Sequence, residues 1–115
     1  MVIRFAHLAD VHLGAFRDAT LRELNLEAFK RCLAQCIDAK LDFVVIAGDL
    51  FHAALPDMRV VDEATKAMRR ARDAGLRLYL VYGSHDYSPT ATSVIDVLAS
   101  AGVLRKIHSA DASKP

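Results

Sequence analysis

A chain of 115 residues, 53% of them hydrophobic, is long enough to bury one core and excludes a disordered tail or a collagen-like repeat. Its net charge of +1 excludes a whole-molecule pull toward polyanions, so any such binding must come from a local patch. No apolar stretch approaches the length of a membrane span, and the charged opening segment MVIRFAHLAD is not expected to be a signal peptide.

Residues 2–9 read as a first strand, with Asp10 and His12 just past its end. One residue apart in what reads as an extended segment, these two side chains are expected to project the same way and to suit a divalent cation. D-x-H is a weak signal alone, and a turn Asp beside an exposed His is the plain alternative. Residues 21–39 carry Leu21, Leu24, Ala28, Phe29, Cys32, Leu33, Cys36 and Ile37 at helical spacing. Cys32 and Cys36 fall on the apolar side of that predicted helix, so they read as reduced, buried small hydrophobes, as in a cytosolic setting, rather than a disulfide or zinc pair.

Residues 42–48 (DFVVIAG) are apolar throughout their centre, as expected of a parallel strand covered on both faces. Asp49 ends that strand, where a carboxylate is costly to desolvate unless a metal or hydrogen bonds compensate, and Gly48 leaves room for close backbone approach. Its alternative reading is a turn or helix-capping Asp. A second helix over 57–74 follows Pro56 and is stopped by Gly75. The basic cluster Lys66, Arg69, Arg70, Arg72 and Arg77 reads as its solvated face.

Residues 76–82 (LRLYLVY) read as a third strand running into Gly83-Ser84-His85-Asp86. Ser84 offers a hydroxyl oxygen, His85 is placed to donate a proton or to stabilise developing charge, and Asp86 to orient His85. A tight turn with an exposed His is the alternative. A helix over 91–101, with Val94, Ile95 and Leu98 inward, ends at Gly102, and residues 103–108 form a fourth strand. The domain therefore spans 1–108, and 109–115 is a polar, frayed tail. His7 and His108 read as structural.

Alternating strands and helices imply an α/β fold with a mainly parallel sheet and right-handed crossover helices. Ligands of such sheets collect beyond the carboxyl ends of the strands. Asp10/His12, Asp49 and Ser84/His85/Asp86 all fall there, and their coincidence on one sheet edge favours a metal site over three unrelated turns.

With D-x-H, G-D and G-S-H-D in this order, the chain resembles the calcineurin-like metallophosphoesterases, whose pattern reads D-x-H, G-D, G-N-H-[DE] and then further histidines. The stretches GDLFH and LYLVYGSHDYSP are similar, in more detail, to the nuclease subunit of the SbcD type, known in eukaryotes as the meiotic recombination eleven family. The resemblance covers residues 2–107 and implies a layered α-β-β-α fold, here partial. It also implies a manganese-dependent nuclease acting on DNA ends in double-strand-break repair.

By that resemblance two Mn²⁺ ions, roughly 3.5–4 Å apart, clamp the phosphate. Asp10 and His12 would hold the first ion, Asp49 would bridge both, and Ser84 stands where the family has an Asn ligand for the second. His85 would serve the leaving group, and His52 would lie near the DNA backbone; on its own, His52 reads equally well as a surface His at a helix entry. Implied partners are DNA, an SbcC-type ATPase of the radiation-sensitive fifty family, and a second copy joined through helices of this region. The family's downstream G-H-x-H segment has no match here. The expectation is thus the amino-terminal part of a nuclease domain, inactive alone. The readings left open are another metallophosphoesterase, such as a phosphodiesterase or protein phosphatase, and a non-catalytic dimerisation module.

Overall fold

The computed structural model describes residues 2–52, 56–81 and 94–107. Its elements alternate as expected: β1 (Phe5–Leu8), α1 (Ala19–Asp38), β2 (Phe43–Ala47), α2 (Met58–Asp73), β3 (Arg77–Val81), α3 (Val94–Ser100) and β4 (Arg105–Ile107). The strands lie side by side in sequence order and all pairings are parallel, with Phe5 opposite Phe43, Phe43 opposite Arg77 and Tyr79 opposite Arg105. Residues 91–93 of the expected third helix, His108 and the tail over 109–115 lie outside the described residues.

Each helix is stopped and turned toward its strand by the same device. The residue after the cap adopts a left-handed conformation: Lys40 (φ 55°), Gly75 (φ 92°) and Gly102 (φ 77°). The next residue is apolar and donates its N–H back into the last turn: Leu41 to Cys36 O at 3.2 Å, Leu76 to Ala71 O at 3.0 Å and Val103 to Leu98 O at 3.1 Å. At Lys40 this geometry costs about 1–2 kcal/mol that a glycine would not. The amino ends are capped by aspartates: Asp18 Oδ1 accepts from Leu21 N at 3.0 Å, and Asp57 Oδ1 from Arg59 N at 2.7 Å. Such caps contribute about 1 kcal/mol each.

Among the described residues the sheet is covered on one face only, whereas residues 42–48 were expected to be covered on both. Val44, Ile46, Leu78 and Leu80 are buried in one core with Leu26, Phe29 and Leu33 of α1 and Val60, Ala64 and Met68 of α2. Phe43, Val45, Tyr79 and Val81, which alternate with them, are only half-buried, and Phe5 and His7 are exposed. Phe5 stacks on Phe43 (centroids 4.9 Å apart) and Tyr79 meets Phe43 edge-on at 5.9 Å. The strand is apolar on both sides because this open face is also apolar. His7 lies exposed on that face.

The inward stripe of α1 also differs from the expected one. Leu26, Phe29, Leu33 and Cys36 are buried, whereas Leu21 and Leu24 are 47% and 60% exposed and Ala28 faces out. Packing of α1 against α2 rotates the stripe. Across that contact Lys30 pairs with Glu63 at 2.9 Å, and Arg59 pairs with Glu23. Burial and the neighbouring Cys32 push the Cys36 thiol up, in keeping with a reduced, inert side chain.

Two outcomes follow. Ile46→Ala, on the covered face, is expected to cost about 2–5 kcal/mol in urea denaturation. Val45→Thr, next to it on the open face, should cost less than about 1 kcal/mol. The Glu63 carboxyl is held below its usual range because Lys30 donates a hydrogen bond to it. A depressed folded-state pKa stabilises above the unfolded value and loses that effect as pH falls through the folded one. The difference in denaturation midpoint between the protein and Glu63→Gln should therefore be present at pH 7 and vanish by about pH 3.

Candidate metal centre

Past the ends of β1 and β2 the two following loops stay joined by their backbones. His12 N–H donates to Asp49 O at 2.8 Å, Leu13 N–H to Leu50 O at 2.9 Å and His52 N–H to Leu13 O at 3.0 Å. Leu13, Leu50 and Phe51 are fully buried and root the loops in the core. The polar residues between these apolar anchors are turned outward.

Asp10 (φ 53°), His12 (φ 48°) and Asp49 (φ 53°) are all left-handed, as is Gly48 (φ 83°). The expectation of an extended Asp10-to-His12 segment is therefore corrected. A left-handed turn at each residue, rather than strand alternation, brings the side chains together. For residues with a Cβ this costs about 1–2 kcal/mol each and persists only where the surroundings enforce it. Here the paired loops enforce it.

The result is a convergent donor set. His12 Nε2 lies 3.5 Å from Asp10 Oδ1 and 3.9 Å from Asp49 Oδ2, and the candidate donor atoms of the three residues all lie within 4.8 Å of one another. Ligands of one octahedral cation with bonds near 2.1 Å sit roughly 3 Å apart, so contraction by an ångström or so suffices. The Asp10 side chain, 81% exposed, is free to supply most of it, whereas Asp49, 18% exposed, is the more fixed member. Carboxylate oxygens and an imidazole nitrogen suit a hard or borderline divalent cation. The residues present fit such an ion.

His12 Nδ1 faces His52 Nδ1 at 3.4 Å, with the rings edge to edge-on and 5.5 Å apart. The tautomer that leaves His12 Nε2 open to a cation carries its proton on Nδ1, where His52 can accept it. His52 is exposed. Ser84, His85 and Asp86 lie outside the described residues.

Sequence reasoning missed Asn25. From within α1 its Nδ2 donates to Val11 O at 3.2 Å, inside the Asp10-to-His12 loop. Among the charged neighbours Arg22, Glu23 and Glu27, nothing in the local sequence marks Asn25 out. The basic cluster does not reach this site. Lys66, Arg69 and Arg70 are exposed on α2, while Arg72 and Arg77 border a cavity of about 620 Å³ at the opposite, starting ends of β3 and β4. There Arg72 donates to Ala101 O at 3.3 Å, just past the end of α3. Among the described residues no helix is long and apolar enough to cross a membrane.

Residues 3–110 match the calcineurin-like phosphoesterase family. Among curated proteins, the chain is 38% identical over 104 residues to the DNA double-strand break repair protein Mre11 of Archaeoglobus fulgidus, covering 89% of this chain and 24% of that protein. It is 33% identical over 110 residues to the protein of the same name from Methanopyrus kandleri, covering 92% of this chain and 24% of that one. The chain thus spans about a quarter of the length of these relatives.

Asp49→Asn removes the negative charge of the most fixed carboxylate without changing its shape. Affinity for Mn²⁺, titrated by calorimetry, is expected to fall by more than the roughly 10–100-fold that loss of a merely orienting group costs.

Proposed function

The chain belongs to the calcineurin-like phosphoesterase family, and on that premise we propose that it forms part of a manganese-dependent nuclease hydrolysing phosphodiesters at DNA ends in double-strand-break repair. The observation that carries this reading is the convergence of Asp10, His12 and Asp49 at two neighbouring strand ends. The choice of DNA ends as substrate draws on the relatives, which are DNA double-strand break repair proteins by name. Residues 1–108 are proposed as the amino-terminal part of the nuclease domain, with 109–115 as a tail.

In this reading Asp10, His12 and Asp49 would hold Mn²⁺, with Ser84 contributing its hydroxyl to a second ion. The described donors are too few for two ions, so further residues complete the pair. Bound divalent ions supply positive charge that polarises the phosphodiester and lowers the pKa of an attacking water. His85 holds a proton at the leaving oxygen, and Asp86 orients its ring. His52, backed by His12, presents its imidazole to the phosphate backbone.

Helices of this region are proposed to pair two copies of the protein, and an SbcC-type ATPase of the radiation-sensitive fifty family to be its partner on DNA. The setting is cytoplasmic.

The product of the complete gene, supplied with Mn²⁺, can be offered linear duplex DNA, a cyclic dinucleotide and a phosphoprotein in parallel. Degradation of the linear DNA is expected. His85→Ala should lower kcat by about 10²–10⁴ while leaving Mn²⁺ uptake intact. Turnover of the dinucleotide or phosphoprotein with DNA untouched would assign the site to another phosphoesterase, and Mn²⁺ uptake without any turnover would leave only a non-catalytic module.

A further inference from the structure

We infer that Asn25 is a positioning residue of the metal loop: its side-chain amide fixes the peptide plane between Val11 and His12, and through that plane the direction of the His12 imidazole. This rests on the metal reading above.

The plane is held at both ends. Its carbonyl accepts from Asn25 Nδ2 at 3.2 Å, and its N–H donates to Asp49 O at 2.8 Å. The orientation of this plane relative to His12 is the φ angle of His12, and that angle is the left-handed 48°. Released at the carbonyl, the plane would relax toward the extended conformations that a residue with a Cβ prefers, and the imidazole would swing with it. The carboxylates of Asp10 and Asp49 would then lose the nitrogen now 3.5 and 3.9 Å from them.

A second observation shows that Asn25 is not placed for stability. Its Oδ1 is buried without a hydrogen-bond partner among the described residues. An unmatched buried oxygen destabilises, and a leucine, with the same branched outline in a somewhat larger side chain, would avoid it. What Asn25 offers that leucine cannot is the single bond from Nδ2 to Val11.

The test compares Asn25→Leu and Asn25→Asp with the unsubstituted protein, in the full chain, by calorimetric titration with Mn²⁺ and by thermal melting without metal. Both substitutions remove the donor to Val11, and both should weaken Mn²⁺ binding by about 10-fold or more. Asn25→Leu should nevertheless melt at or above the unsubstituted protein, whereas Asn25→Asp, with a carboxylate facing the Val11 carbonyl, should melt lower. Unchanged affinity in either variant overturns the inference. So does an Asn25→Leu protein that fails to fold, or that loses affinity and melting temperature together, since either marks a structural role. If the unsubstituted protein takes up no Mn²⁺, the metal reading falls and carries this one with it; the two failures are told apart by that control.

Discussion

The peptide unit joining Val11 to His12 is the point on which the site depends. Its N–H is committed to the loop after β2 and its carbonyl to α1, so three segments of the chain meet on one rigid plane. A rigid plane leaves each flanking residue only its own torsions to adjust. His12 is therefore presented in a left-handed turn that it would not adopt in isolation. Strain of this kind is tolerated because the buried Leu13, Leu50 and Phe51 on either side cannot shift to relieve it.

The donors that result are unequal. Asp49 is sheltered beside His12, whereas Asp10 stands largely in solvent. Before a cation arrives, the exposed carboxylate stays hydrated and contributes little repulsion, since charges facing water interact weakly. The sheltered one sets the location. This division lets two acidic groups share a small space without both meeting the desolvation cost of burial.

Much of the architecture was legible because it rests on local chemistry. Gly75 and Gly102 mark two of the three helix stops, and the apolar runs mark the strands. Lys40 makes the same turn with no glycine to announce it, because the helix end, not the residue's preference, imposes the conformation. Strand ends identified Asp10, His12 and Asp49, yet their backbone geometry was misread: periodicity assumes that a chain leaving a strand stays extended, and here inter-loop bonds bend it. The open sheet face was hidden for a different reason. Phe43 and Val45 are as apolar as Val44 and Ile46, and hydrophobicity alone does not say which neighbour lies above them. Asn25 was missed because its role is a contact across fourteen positions, which no local pattern encodes.

The strand order, in which every strand lies beside its sequence neighbour, bears on how the site comes into being. No pairing waits for a distant part of the chain, so the sheet can grow one strand and one helix at a time from the amino end, with low loop-closure penalties at each addition. The loops carrying Asp10, His12 and Asp49 are locked as soon as β1 meets β2 over α1. During synthesis that unit leaves the ribosome ahead of the segments that follow it here, and domains generally fold as they emerge. The convergence of Asp10, His12 and Asp49 is thus an early product of folding, and later segments are added around side chains already in place.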